Sequence, residues 1–308
     1  MKLENKTHHL SVNAKHRLMR LASYCSVLTA LILIVIKIVS FFMTHSLALL
    51  SSLMDSGLDL GASVVSLIAI HQALLPADKE HRFGHGKAEA LGALAQGIII
   101  CFSGIFLLYE TIQQLFNPKP LEHFEIGLGV MFISIFVTFM LVSFQRYVVK
   151  KTNSLAITAD NAHYMGDVLM NIGVIISMFF SYLVGWKWID PLFAICISFY
   201  LFYCSYKIIY KVQCILMDKE LPPEIRKKIK ETVTKHYLVS HIKDLRTRNS
   251  GLNCFVQFSI VLNGQNSLET THALCDELEK EVKQIVPNCE IFIHPEPTVS
   301  EKEKENGR

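Results

Sequence analysis

Six apolar runs fill the first two thirds of the chain, near Leu18–Phe42, Ser46–Gln72, Ala88–Phe116, Phe124–Tyr147, Leu155–Val184 and Trp188–Val212, with short polar connections between them. Each is long enough for the roughly 20 helical residues that cross a hydrocarbon core, so the pattern predicts six transmembrane helices. After Asp218 the periodicity changes. Leu221-Pro222-Pro223 opens a charged helix that ends near Tyr237, followed by a strand near Asp244–Arg248, a turn at Asn249-Ser250-Gly251 and an alternating strand near Cys254–Leu262. A helix over Leu268–Val286 and a last strand near Cys289–His294 complete an αββαβ order. The expected fold class is an α-helical membrane protein of six transmembrane helices with a C-terminal α+β domain. Its expected segments are an N-terminal arm (1–17), a transmembrane domain (18–212), an αββαβ domain (213–300) and a disordered charged tail (301–308).

Composition agrees with the bilayer: 51% of residues are hydrophobic and only 19% charged, a bias that rules out an ordinary soluble domain for the apolar part. From Gln213 onward 14 Lys/Arg stand against 15 Asp/Glu, a balance of −1, so no nucleic-acid footprint is expected. Leu21 to Phe42 is too long for the apolar core of a signal peptide and more spans follow it, so it reads as a retained first span. The N-terminal arm and the start of span one carry five basic residues (Lys2, Lys6, Lys15, Arg17, Arg20), the connection after span two carries three (Lys79, Arg82, Lys87), and the end of span four with the connection after it carries three (Arg146, Lys150, Lys151). The opposite connections carry none, Lys119 alone and Lys187 alone. That asymmetry puts both termini on the cytoplasmic side. The eight cysteines form no Cys-x-x-Cys pair and read as packing thiols in a reducing compartment.

Charges inside spans cost at least about 2.5–3.5 kcal/mol at a helix centre and so demand an account. Span two holds Asp55 and Asp59, and span five holds His163 and Asp167. Each pair is spaced i, i+4, which places both side chains on one helix face. At 1.5 Å per residue Asp55 lies roughly 14 Å from the outer end of its span and His163 roughly 12 Å from the inner end of its own, so the pairs can meet near the midplane. Three carboxylates and an imidazole suit a tetrahedral divalent ion, which would neutralise acids that otherwise lack a partner. The competing reading is a lined water cavity or helix-to-helix hydrogen bonding. Gly57, Gly61 and Ala62 are small enough to admit a neighbouring helix. Lys37, near the outer end of span one, is expected to snorkel. Asp160 is expected to face the cytoplasmic mouth as a helix-start residue.

These residues resemble the cation diffusion facilitator family, in particular its bacterial ferrous-iron/zinc efflux branch. The resemblance rests on Ser46-Leu-Ala-Leu-Leu-Ser-Ser-Leu-Met-Asp55-Ser-Gly-Leu-Asp59, on Pro76-Ala-Asp78-Lys-Glu-His81-Arg-Phe-Gly-His85-Gly-Lys87-Ala-Glu89, on His163-Tyr-Met-Gly-Asp167 and on Asp244-Leu-Arg-Thr-Arg248. It implies a homodimeric proton-coupled antiporter of the bacterial inner membrane, with a metallochaperone-like cytoplasmic domain, no prosthetic group, and Zn²⁺, Fe²⁺ or Cd²⁺ as cargo. The family's transport site maps onto Asp55, Asp59, His163 and Asp167, with Asp55 where strict zinc carriers have His. Asp78, His81 and His85 match an interfacial metal site; a plain turn before span three is the alternative. Lys87 and Asp218 resemble an interdomain charge pair, with juxtamembrane surface charges as the alternative. His272, His294 and Glu296 fit part of a cytoplasmic metal site, but Lys243 and Ser259 stand where the family has His, so weak or absent metal is expected there.

An enzyme is not expected. A catalytic zinc keeps a position open for water, whereas this set supplies four protein ligands, and neither His-Glu-x-x-His nor Gly-x-Ser-x-Gly occurs. A passive channel would need a continuous polar path and multiple weak sites rather than one compact centre.

Overall fold

A computed structural model describes residues 11–44, 47–116, 124–184, 188–287 and 289–298. The first part of the expected arm and the expected tail lie outside the described residues. The chain forms two compact units, residues 1–213 and 214–308.

The first unit consists of six helices: α1 (Val12–Thr44), α2 (Leu47–Ala73), α3 (Lys87–Phe116), α4 (Phe124–Thr152), α5 (Leu155–Val184) and α6 (Ile189–Leu216), the last running into the second unit. Among the described residues, α1, α2, α3, α4 and α6 offer stretches long and apolar enough to cross a membrane. In α5 the apolar run is interrupted by Asp160, Asn161, His163, Asp167 and Asn171. The helix α1 starts earlier than the apolar run, because Ser11 Oγ accepts the amide N–H of Ala14 at 3.3 Å and caps it. Residues 12–17 of the expected arm are therefore helical.

Two polar devices fix α5. Asn153, at φ 56°, ends α4 in the left-handed region, and Ser154 Oγ then accepts the N–H of Ile157 at 3.3 Å as the N-cap of α5. The buried Glu89 of α3 accepts the Ser154 hydroxyl at 2.5 Å and the Leu155 N–H at 2.8 Å. A carboxylate at a helix N-terminus satisfies orphan amides and the positive end of the helix dipole together.

Helix packing differs from the expectation for the small residues of α2. Among the described residues, a side chain added at Gly57 or Gly61 would meet nothing within 4 Å. The close approach is made by Gly92 of α3, where an added Cβ would sit 2.2 Å from Ala69 Cβ of α2. Ala62 is buried, and its carbonyl accepts from Gln96 Nε2 at 2.8 Å.

The second unit is α7 (Pro223–Thr234), β1 (His241–Ser250), β2 (Asn253–Leu262), α8 (Leu268–Ile285) and β3 (Cys289–Pro297), the expected αββαβ order. Proline at the first turn and Ser267 as N-cap start the two helices. Gly251 at φ 76° turns the β1–β2 hairpin, and α8 carries the chain across to β3, which lies parallel to β2. The apolar stripe Leu274, Leu278 and Val282 of α8 packs with Ile229 and Val233 of α7 on the inward face of β2, so one core holds the unit together. Cys254 and Cys289 face each other in the β2–β3 register with Cα atoms 4.4 Å apart.

Candidate metal centre

Packing of α2 against α5 brings the intramembrane residues together. Asp59 Oδ1 lies 3.0 Å from His163 Nε2, and one ligand atom each from Asp59, His163 and Asp167 falls within 4.8 Å of the others. His163 is 6% exposed, and the two acids are partly buried. Oxygen and nitrogen ligands about 2.1 Å from a tetrahedral zinc are roughly 3.4 Å apart, so this trio is about an ångström from closing on an ion. Asp55, one turn earlier on α2, is exposed and lies outside the group. Three of the four residues expected from spacing thus converge, and the fourth stands beside them.

The trio rests on a polar framework that sequence reasoning missed. Tyr164, next to His163, is fully buried; its hydroxyl lies 2.7 Å from Ser63 Oγ of α2 and donates to the Ser26 carbonyl of α1 at 3.2 Å. Ser63 is one turn beyond Asp59, so the tyrosine sets the rotation of α2 against α5 at the level of the ligand pair. One turn before His163, Asp160 is only 2% exposed. Its carboxylate accepts from Ser26 Oγ at 2.5 Å, Gln145 Nε2 at 2.7 Å and Gln96 Nε2 at 3.3 Å. It is therefore not a mouth-facing helix-start residue: side chains from α1, α3 and α4 meet on it, and Gln96 extends the network to α2 through the Ala62 carbonyl. Burying a carboxylate costs several kcal/mol unless donors surround it, and here three do. The signal available in the sequence was the pair of glutamines inside apolar spans.

Lys37 also departs from expectation. Rather than reaching the membrane surface, its ammonium donates to the Ser52 carbonyl at 3.0 Å and to Ser56 Oγ at 2.6 Å, on the turns of α2 that carry Asp55 and Asp59.

Asp78, His81 and His85 form the other candidate group among the described residues. The backbone N–H groups of His81 and Glu80 donate to Asp78 Oδ1 at 2.6 and 2.9 Å, and hold its carboxyl below the usual carboxylate range. His81 Nδ1 and His85 Nε2 each lie 3.4 Å from an Asp78 oxygen. His85 Nδ1 is 3.2 Å from the Pro76 carbonyl, which can only accept.

The C-terminal residues are arranged otherwise. His294 is exposed, His272 Nδ1 lies 3.9 Å from Asp276, and Lys243 Nζ donates to Glu296 Oε2 at 3.1 Å. No metal-compatible group among the described residues contains His272, His294 or Glu296. Lys243 and the Ser259 hydroxyl hold the Glu296 carboxyl below its ordinary range, so the two residues in the expected histidine positions engage the remaining acid. Lys87 opens α3, and Asp218, at φ 52°, accepts from Arg248 Nη1 at 3.4 Å.

Residues 23–217 match the transmembrane domain model of the cation efflux family, and residues 221–298 match the cytoplasmic domain of cation efflux proteins. The cation-efflux pump FieF of Salmonella choleraesuis strain SC-B67 is 39% identical over 91% of this chain and 93% of its own length. The FieF of Yersinia enterocolitica is 40% identical over 92% and 94%, and protein p34 of Rickettsia rickettsii is 38% identical over 94% and 95%. Apolar helices of spanning length, two matching domains and relatives along nearly the whole length converge on one assignment: the chain is a multi-pass membrane protein that belongs to the cation efflux, or cation diffusion facilitator, family.

Proposed function

We propose that this chain is a homodimeric, proton-coupled antiporter that exports divalent metal cations, Zn²⁺ and Fe²⁺ foremost, across a bacterial inner membrane with both termini in the cytoplasm. The observation that carries the reading is the convergence of Asp59, His163 and Asp167 between α2 and α5. Asp55 completes the transport site when the ion draws the side chains inward. Relatives named as cation-efflux pumps support the direction of transport.

Coordination requires deprotonated groups, so metal and protons compete for the same atoms. His163 Nε2 and Asp59 Oδ1 stand 3.0 Å apart, the distance of a hydrogen bond through one proton. A divalent ion arriving from the cytoplasm displaces that proton and takes both atoms. Rocking of the helices then exposes the ion outward, and returning protons release it. The donors that α1, α3 and α4 place around Asp160 hold the α5 ligands in position. The loop group at Asp78, His81 and His85 binds a second ion with a structural role.

Metal flux in sealed proteoliposomes tests this reading. Zinc uptake should be saturable, should rise with an imposed opposing pH gradient, and should vanish in Asp59→Ala and His163→Ala variants that remain dimeric. Flux indifferent to the gradient, or normal flux in either variant, contradicts it.

A further inference from the structure

Lys37 is the cation among the described side chains of α1 that turns inward beside the acidic cluster. It lies seven residues before the end of α1 at Thr44, so about 10 Å of helix separate it from that end at 1.5 Å per residue. A snorkelling lysine runs its stem along the helix toward water. This one crosses sideways to α2, where Ser52 O and Ser56 Oγ take its protons at 3.0 and 2.6 Å. Ser56 is 1% exposed and stands between Asp55 and Asp59 in the sequence. The ammonium acts electrostatically on Asp59, Asp167 and Asp55, the three acids of the transport site. A bilayer holds an ionised lysine at this depth only when something compensates its charge.

We propose that Lys37 is a built-in counter-charge of the transport site, fixed to α2 through Ser52 and Ser56, which weakens the hold on the divalent ion enough for it to leave. The proposal rests on the transport reading above. Three carboxylates and a divalent ion leave one negative charge uncompensated, and Lys37 cancels it, so the loaded site moves through a low-dielectric region without net charge. A monovalent ion in the same place leaves a net negative charge, so the lysine also favours divalent over monovalent cargo. Without it, a cation would enter a more negative site, bind more tightly and depart more slowly. Lys37 is thus a specificity- and release-determining residue that does not touch the cargo.

The test uses the full chain, with Zn²⁺ binding measured by equilibrium dialysis and Zn²⁺ flux in proteoliposomes. Lys37→Gln can keep a hydrogen bond to α2 without the charge, Lys37→Met removes both, and Lys37→Arg keeps the charge. The neutral variants should bind Zn²⁺ roughly tenfold more tightly, about 1.4 kcal/mol, with a lower KM and a lower maximal flux, while Arg stays near wild type. A brace between α1 and α2 would not lower KM. Unchanged or weaker affinity in the neutral variants, an Arg variant as altered as Gln, or folded protein from Arg alone each overturns the proposal. Zinc flux that survives His163→Ala would instead sink the transport-site reading, whatever Lys37 does.

Discussion

The same ligand types occur in the membrane unit and in the C-terminal unit, with opposite outcomes. Asp59, His163 and Asp167 draw within 4.8 Å of one another between two helices, whereas no metal-compatible group among the described residues includes His272, His294 or Glu296. The difference lies in what else can neutralise an acid. At the surface of the C-terminal unit water screens the charge, and Lys243 reaches Glu296 at 3.1 Å from the neighbouring hairpin. Inside the helical unit water is scarce, and each acid must find donors, a counter-ion or cargo. Asp160 finds donors in Ser26, Gln145 and Gln96. The cluster at Asp59 has one imidazole bond and the nearby Lys37, which leaves it the acidic site most in need of a cation.

The comparison sharpens if the donors around Asp160 are deprived of their acceptor. Asp160→Asn puts an NH₂ group where Ser26, Gln145 or Gln96 now donates, stranding at least one buried donor at a cost of about 1–3 kcal/mol. Thermal unfolding of the purified protein should show that loss. Unchanged stability would mean that Asp160 is not the hub that joins α1, α3, α4 and α5. A smaller effect is expected in the C-terminal unit. His294→Ala should leave zinc stoichiometry unchanged and flux within about twofold of wild type, the scale of roughly 0.5 kcal/mol typical of surface substitutions. Loss of a bound zinc in that variant would break the contrast between the two units.

Much of this was legible in the sequence because two signals there are strong. Apolar runs of spanning length predict the helices, and ionisable residues inside them at i, i+4 spacing single out Asp55, Asp59, His163 and Asp167. The αββαβ order followed from proline, turn and alternation signals around Pro222, Gly251 and β2. What was hidden depended on partners far along the chain. The role of Asp160 is set by Ser26 and Gln145, 134 and 15 residues away, and that of Lys37 by a rotation of α1 toward α2. Helical spacing puts Asp55 and Asp59 on one face but does not say how far that face turns inward, so the exposure of Asp55 could not be foreseen. Gly57 and Gly61 look like packing glycines by composition alone, yet the close approach belongs to Gly92.

The central claim is that Asp59, His163 and Asp167 hold one divalent ion within the membrane unit. It is tested most directly by equilibrium dialysis of Zn²⁺ with the full-length protein in which Asp78, His81 and His85 have been replaced by Ala, compared with the same protein carrying His163→Ala. The account predicts that the first binds a single zinc per chain and that the second loses it while remaining folded. Equal zinc content in the two proteins would contradict it.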